Sequence, residues 1–180
     1  MKFNNEKANQ VHPGDQDQTD QARMHRYCTF RLSGRLYGVN IRDVKEINTE
    51  INITPVFHAP KEIKGYINIR GQIYLLFDLR AIFSLPEKTI DKASRVVVFM
   101  PQIGDLCGIL VDSIEDVVTV DENLIENRRR QEREAPEGIE RRSTDICDGV
   151  CKLRDELLII LNAVRLVHFV GNAHNRQYKA

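Results

Sequence analysis

Arg70 sits beside Gly71 in the segment Gly65–Phe83, GYINIRGQIYLLFDLRAIF, with apolar runs on both sides. A guanidinium presents several donors in a fixed fork. On an exposed turn it can bind a carboxylate, or the free carbonyls of a helix end, through paired hydrogen bonds. That is the chemistry of recognition rather than of bond-making. Two plainer roles stay open for Arg70: a solvated turn residue, or an internal partner of Glu46 or Asp78.

Other reactive side chains form no constellation. Cys28, Cys107, Cys147 and Cys151 contain no C-x-x-C pair. Cys147 and Cys151, four apart in an apparent strand, share a face if the side chains alternate. Reduced, partly buried thiols are the expectation. The histidines His12, His25, His58, His168 and His174 make no ligand cluster. There is no G-x-S-x-G, Walker A, H-E-x-x-H or dinucleotide fingerprint. No catalytic residue, metal site or cofactor is expected, and Asp112 reads as a turn residue.

The elements that carry Arg70 follow from pattern. Apolar runs about an Arg-Gly pair read as a β-hairpin, because glycine tolerates the positive φ of a tight turn. The register puts Ile69 opposite Gln72, Ile67 opposite Tyr74 and Tyr66 opposite Leu75. One face then holds Ile67, Ile69, Tyr74 and Leu76. The other holds Tyr66, Ile73, Leu75 and Phe77. Both faces are apolar, so both are expected to be covered, one by a core and the other by a neighbour or partner. Asp78 is placed to cap a short helix, LRAIF. Pro60 is placed to open another, APKEIK, ended by Gly65.

The same design occurs twice. Gly149–Val167, GVCKLRDELLIILNAVRLV, matches Gly65–Phe83, with Arg154 in place of Arg70 and Asn162 in place of Asp78. Upstream, LYGVNIRDVKEI from Leu36 matches LCGILVDSIEDV from Leu106, with Glu46 answering Asp116. The first offset is 84 residues and the second 70, so the second copy carries 14 extra residues between its blocks. Ordered self-similarity of this kind indicates duplicated structure, here two small β subdomains packed together. The excess is placed in 126–145, which holds six arginines among six acids. Interleaved acids would repel phosphate, so this stretch reads as a solvated loop or frayed helix.

Further hairpins are expected about Ser33-Gly34 and about Pro101–Asp105, and a terminal helix over Ala163–Val170. Residues 1–25 read as a disordered tail, 26–170 as the domain and 171–180 as a flexible tail. With 26 basic and 26 acidic residues, nothing drives the whole chain toward nucleic acid or an anionic membrane. No apolar run is long enough to span a bilayer, and the N-terminus lacks a signal-peptide core, so a cytosolic protein is expected.

The ordered series F-x-L-x-G-x-x-Y-G-V-x-I-x-x-V-K-E-I, A-P-x-x-I-K-G-Y-I-N-I-R-G, F-D-L-R, L-V-D-S-I-E-D-V and L-L-I-I-L-N resembles the bacterial chemotaxis coupling proteins, the CheW-like family. The resemblance covers roughly Tyr27–Val167. It implies an all-β fold of two SH3-like barrels and a non-catalytic adaptor between transmembrane chemoreceptors and the histidine kinase CheA. The receptor's helical tip would dock in a groove including Val44, Glu46, Gly65 and Arg70. Gly71 joins them, since a side chain at the hairpin tip would clash with a partner or strain the turn. The kinase's regulatory domain, of the same fold, would pack pseudo-symmetrically against the adaptor in receptor arrays. Neither a phosphotransfer, ATP-binding nor receiver domain accompanies the segment, which favours the adaptor over CheA or CheV. Ile69, where leucine is usual, and 126–145 depart from the family pattern. The alternatives are an adaptor of twitching motility or another chemosensory pathway, an oligonucleotide-binding barrel, or a small β-barrel enzyme.

Overall fold

A computed structural model of the chain describes residues 23–126 and 145–177, with side chains as far as Val170. β1 (Met24–Leu32) and β2 (Arg35–Asn40) meet at Ser33-Gly34, whose φ angles of 52° and 79° make the tight turn that suits strand twist. A short 3-10 turn, Ile41–Asp43, follows β2, and the Asn40 carboxamide caps it. There follow β3 (Val44–Asn48), β4 (Ile53–Thr54), β5 (Ile63–Ile69), β6 (Gln72–Asp78) and α1 (Leu79–Ile82). The second half runs β7 (Arg95–Phe99), β8 (Cys107–Val111), β9 (Ser113–Asp121), β10 (Ile125–Glu126), β11 (Cys147–Lys152), β12 (Leu157–Leu161) and α2 (Ala163–Gln177).

Among the described residues, twelve strands form two six-stranded sheets, β10-β11-β12-β2-β1-β9 and β3-β7-β8-β6-β5-β4. The two halves of the sequence are therefore not the two sheets. Each sheet takes the leading hairpin of one half and the other four strands of its counterpart. Each exchanged hairpin is held by an antiparallel pair on one side and a parallel pair on the other, and the parallel pairs repeat in one register. Gly38 lies opposite Ile160 where β2 meets β12, and Gly108 opposite Leu76 where β8 meets β6. Those four residues occupy equivalent places in the two copies.

Each curled sheet encloses its own apolar cluster. Tyr27, Leu36, Cys151, Leu158 and Ile160 fill one, and Ile67, Ile69, Tyr74, Leu76, Val96 and Val98 the other. A larger cluster, including Phe30, Tyr37, Phe77, Phe99 and Ile109, lies between the sheets and takes in Leu79 of α1 and Leu166 of α2. Both faces of the β5–β6 hairpin are thus apolar for a reason: one lines its barrel and the other joins the central core. The covering is incomplete, because Tyr66 and Ile73 stay open to solvent.

Several expectations are corrected. APKEIK is no helix. Pro60 accepts the Ile63 N–H in a turn at 2.9 Å, and β5 begins at once. Six residues are too few to hold a helix when a strand partner is at hand. Gly65 sits in β5 beside a bulge at Lys64, with φ 147°. A Cβ there would lie 2.5 Å from the Thr54 carbonyl oxygen on β4. Gly149 faces Glu126 on β10 in the same way, at 2.8 Å. β4 and β10 are equivalent by that pairing, which brackets most of the extra length between Glu126 and Gly149. Within the charged stretch, 127–144 lies outside the described residues.

A matching bulge at Asp148 turns Cys147 and Cys151 to opposite faces, so they share none. Cys147 enters the central cluster and Cys151 a barrel core. None of the four buried cysteines forms a disulfide. Burial and the nearby Asp105 carboxylate push the Cys107 thiol up to about 11. β1 starts at Met24, inside the expected N-terminal tail, because β9 is long enough to pair with Met24 and His25. The last helix reaches Gln177, through most of the expected C-terminal tail. Extending a formed helix costs far less than starting one.

Asp112 lies where the chain leaves one sheet at the end of β8 and enters the other at β9. Arg80 of α1 grips its carboxylate with two N–H groups, at 2.9 and 2.6 Å, and the Ser33 N–H adds a third at 2.8 Å. Burial pushes the Asp112 carboxyl up, but the Arg80 and Ser33 hydrogen bonds and the Arg80 and Lys88 charges outweigh it, so its pKa is lowered. A lowered carboxyl stabilises the fold fully above the unfolded value near 3.9, and loses this as pH falls through the folded value. Asp112→Asn should cost about 2 kcal/mol at pH 7. In thermal melts the gap to the native protein should then narrow as pH falls through the folded carboxyl's lowered value. A gap that does not narrow as the solution is acidified would refute a role for the charge.

Candidate docking site

The Arg70-Gly71 turn forms in the register read from the sequence, Ile69 against Gln72 and Tyr66 against Leu75. Arg70 and Gly71 take φ angles of 50° and 84°. The Asn68 carboxamide accepts the Gly71 N–H at 2.9 Å and ties the turn down. Nothing lies within 4 Å of where a Gly71 Cβ would be, so backbone strain rather than crowding within the chain favours glycine there.

Arg70 is 85% exposed, and its guanidinium lies 3.3 Å from the Glu46 carboxylate, which is only 22% exposed. Of the two internal partners considered, Glu46 is the one that pairs. Asp78 is engaged elsewhere: it accepts the Arg80 N–H as the cap of α1 and pairs with Lys64 at 3.1 Å. A pair whose cation is open to water, as Arg70 is against Glu46, is worth little to the fold, under about 1 kcal/mol. It holds Arg70 loosely in place with most of its donors still free.

A bulge in β3 decides which residues accompany it. Val44 lies opposite Phe99 and Glu46 opposite Val98, two residues of β3 against neighbours on β7. Val44 and Glu46 therefore face opposite sides of the sheet. Val44 packs on the central cluster and Glu46 reaches the hairpin tip. Gly65 is five residues from Arg70 along β5, roughly 17 Å at strand spacing. Of the five residues assigned to the site, Glu46, Arg70 and Gly71 come together, and Val44 and Gly65 stand apart from them.

Sequence reading missed a second contact at the same place. Lys45, also in the bulge, donates to the Tyr74 hydroxyl at 2.8 Å, and that hydroxyl donates to the Gln72 carboxamide at 2.7 Å. The available signal was a tyrosine on a core-facing strand position, whose hydroxyl needs a partner. Further along the β5–β6 hairpin and just before β8, Tyr66, Ile73 and Leu106 are open apolar side chains. The equivalent positions Ile73 and Leu157 are 50% and 57% exposed, and Ile47 and Val117 are another such pair. A cavity beside Arg80 and Asp112 has about 10 Å³ of room, enough for one water and no substrate. Among the described residues no group of three or more His, Cys, Asp or Glu side chains is placed to hold a metal ion. No helix among them is long and apolar enough to cross a membrane.

Two barrels built from exchanged hairpins, with an exposed arginine on a stiff turn and open apolar residues beside it, define a duplicated SH3-like protein-binding module. Comparison with known proteins makes this specific. The CheW-like domain model matches residues 26–170. The chain is 31% identical over 134 residues to the chemotaxis protein CheW of Bacillus subtilis strain 168, covering 74% of this chain and 81% of that protein. It is 30% identical over 142 residues to the chemotaxis protein CheW of Klebsiella aerogenes, covering 78% and 80%. The crystal structure of the scaffolding protein TtCheW from Thermoanaerobacter tengcongensis superposes with a TM-score of 0.66 at 30% identity, over 79% of this chain and 86% of that one. The chain belongs to the CheW-like family.

The geometry at Gly65 gives a test of its role. Gly65→Ala would set a methyl group against the Thr54 carbonyl at a φ that L residues avoid. Urea denaturation should show a loss of roughly 2 kcal/mol or more. A change under about 0.5 kcal/mol would show that the position is not needed for packing and restore it as a contact residue.

Proposed function

We propose that the chain is a non-catalytic adaptor of chemotaxis signalling, coupling the cytoplasmic tips of chemoreceptors to the regulatory domain of the histidine kinase CheA. It works in the cytoplasm, held at membrane receptor arrays through these partners. The observation that carries this reading is Arg70. It projects 85% exposed from a two-residue turn, backed by a carboxylate that orients it without enclosing it. A receptor tip is a helical hairpin. Such an element binds by laying apolar residues on an apolar surface and fixing its register with a few charges. Tyr66, Ile73 and Leu106 supply the apolar contact, and Arg70 the directed donors to a carboxylate or helix-end carbonyl.

The kinase contact rests on the duplication. A partner domain with the same two-barrel fold would present the same kind of ends. The exposed pairs Ile47 with Val117 and Ile73 with Leu157 give this chain two equivalent apolar ends to meet them. Glu46, Arg70 and Gly71 act at one of these ends.

Titration calorimetry of the full chain against the regulatory domain of the cognate kinase tests the partner directly. Binding should be measurable, and no heat at roughly 100 μM would reject the adaptor reading. For the receptor arm, Arg70→Glu should weaken binding of a receptor-tip fragment by roughly thirtyfold, about 2 kcal/mol. Its thermal midpoint should barely move, since Arg70 buries little and the cation of the lost pair is open to water. A large fall in the midpoint with unchanged affinity of the folded protein would make Arg70 a structural residue. Gly71→Val should reduce assembly with receptor, kinase or both, and unaltered binding of each would remove Gly71 from the site.

A further inference from the structure

We propose that Lys45, Tyr74 and Gln72 are positioning residues for docking at Arg70, forming a latch that fixes the β3 bulge against the β5–β6 tip. The inference rests on the adaptor reading, because it assigns these residues a part in the same site.

β3 and the β5–β6 hairpin are separated in their sheet by two strands, β7 and β8. No backbone ladder joins β3 to the hairpin tip. Only side chains close that gap, and two contacts do so. One is Glu46–Arg70, an ion pair at 3.3 Å between an exposed guanidinium and a mostly buried carboxylate. A long arginine side chain open to water exchanges such a partner readily, so this pair alone would leave the guanidinium wandering. The other is built on Tyr74. Its ring is buried among Ile67, Leu76, Val96 and Val98, so its hydroxyl is a fixed post at the barrel mouth. The post takes the Lys45 ammonium at 2.8 Å and gives its own proton to Gln72 at 2.7 Å. Lys45 also lies 5.4 Å from the Tyr74 ring centroid, within range of a cation–π attraction, and 3.4 Å from the Gln72 carboxamide oxygen.

Lys45 and Glu46 are adjacent in one bulge, and Gln72 follows Arg70 after a single residue. Fixing Lys45 to Tyr74 and Gln72 therefore fixes where Glu46 stands relative to Arg70. The rigid contact sets the position, and the loose contact is set by it. A preset guanidinium docks without first being ordered, which lowers the cost of binding.

The test uses the full chain and a soluble fragment spanning the signalling tip of a chemoreceptor encoded in the same genome. Tyr74→Phe removes the hydroxyl and keeps the ring. Lys45→Met removes the charge and leaves the core untouched, so a folding defect cannot mask the result. Each should weaken binding roughly tenfold, the loss of one charge-assisted hydrogen bond. Lys45→Arg should retain most of the affinity. In an Arg70→Ala background both effects should vanish, because nothing is left to position. Unchanged affinity in the single variants, or an equal loss in the Arg70→Ala background, overturns the proposal. A readout without any partner separates this from the adaptor reading. The Arg70 Nε–H resonance should shift in both variants and not in the control Leu124→Ala, an exposed position between β9 and β10 of the other sheet. If the native chain fails to bind the receptor tip, the adaptor reading falls and this resonance alone decides. A shift then sustains the latch, and no shift rejects it.

Discussion

The parallel pairing of β2 with β12 and of β6 with β8 is the constraint on which the rest of the structure depends. In one sheet the β7–β8 hairpin stands between β3 and β6, and in the other the β1–β2 hairpin stands between β9 and β12. Remove either hairpin and the strands that flank it, β3 and β6 or β9 and β12, are no longer joined through the backbone. Neither half of the sequence can complete a sheet alone, and the barrel cores close only when both leading hairpins have crossed over. Such long-range pairings are entropically expensive to form, and they bind the two barrels into one cooperative unit.

That exchange also makes the candidate site. Glu46 comes from the strand on one side of the inserted hairpin and Arg70 from the turn on the other. Val98, opposite Glu46, belongs to the second half of the chain. A surface that looks local to the first copy, lying within 44–74, thus takes its geometry from residues beyond 95. Asp112 has the same character. It is a turn residue by position, yet its carboxylate joins α1, the Ser33 turn and the crossing between sheets, which explains why it is partly buried and doubly held by Arg80.

Local pairings were legible because their signals are local. Arg70-Gly71 and Ser33-Gly34 demand positive φ, and a two-residue turn then fixes every pair along the hairpin. The duplication was legible because glycines and capping residues align with the apolar positions. The exchange of hairpins was not, since alternation says which residues face inward and nothing about which sheet receives the strand. Bulges were the other blind spot. One extra residue at Lys45, Lys64 or Asp148 reverses the faces of everything beyond it, which sends Val44 away from Glu46 and Cys147 away from Cys151. A two-residue period cannot reveal a place where the period breaks. APKEIK was misread because a proline and a terminal glycine are equally at home in a turn leading to a bulge.

The two copies have kept their backbone and changed their charges. Where Lys64 holds Asp78 in the first, Asp148 accepts a hydrogen bond from Asn162 in the second, and both Asp78 and Asn162 cap the following helix. Where Lys45 meets Gln72 and Tyr74, the second copy sets Glu115 and Glu156, and Arg31 from the exchanged hairpin bridges them. Glu46 pairs with Arg70, whereas no ion pair joins their counterparts Asp116 and Arg154. A barrel mouth needs some contact between its bulged strand and its hairpin tip, but not a particular one. The frame is therefore constrained by the hairpin exchange, while the rim is free to vary. Two mouths of one shape and different charge can receive different partners without any change in the fold that presents them, which is what an adaptor between two unlike proteins requires.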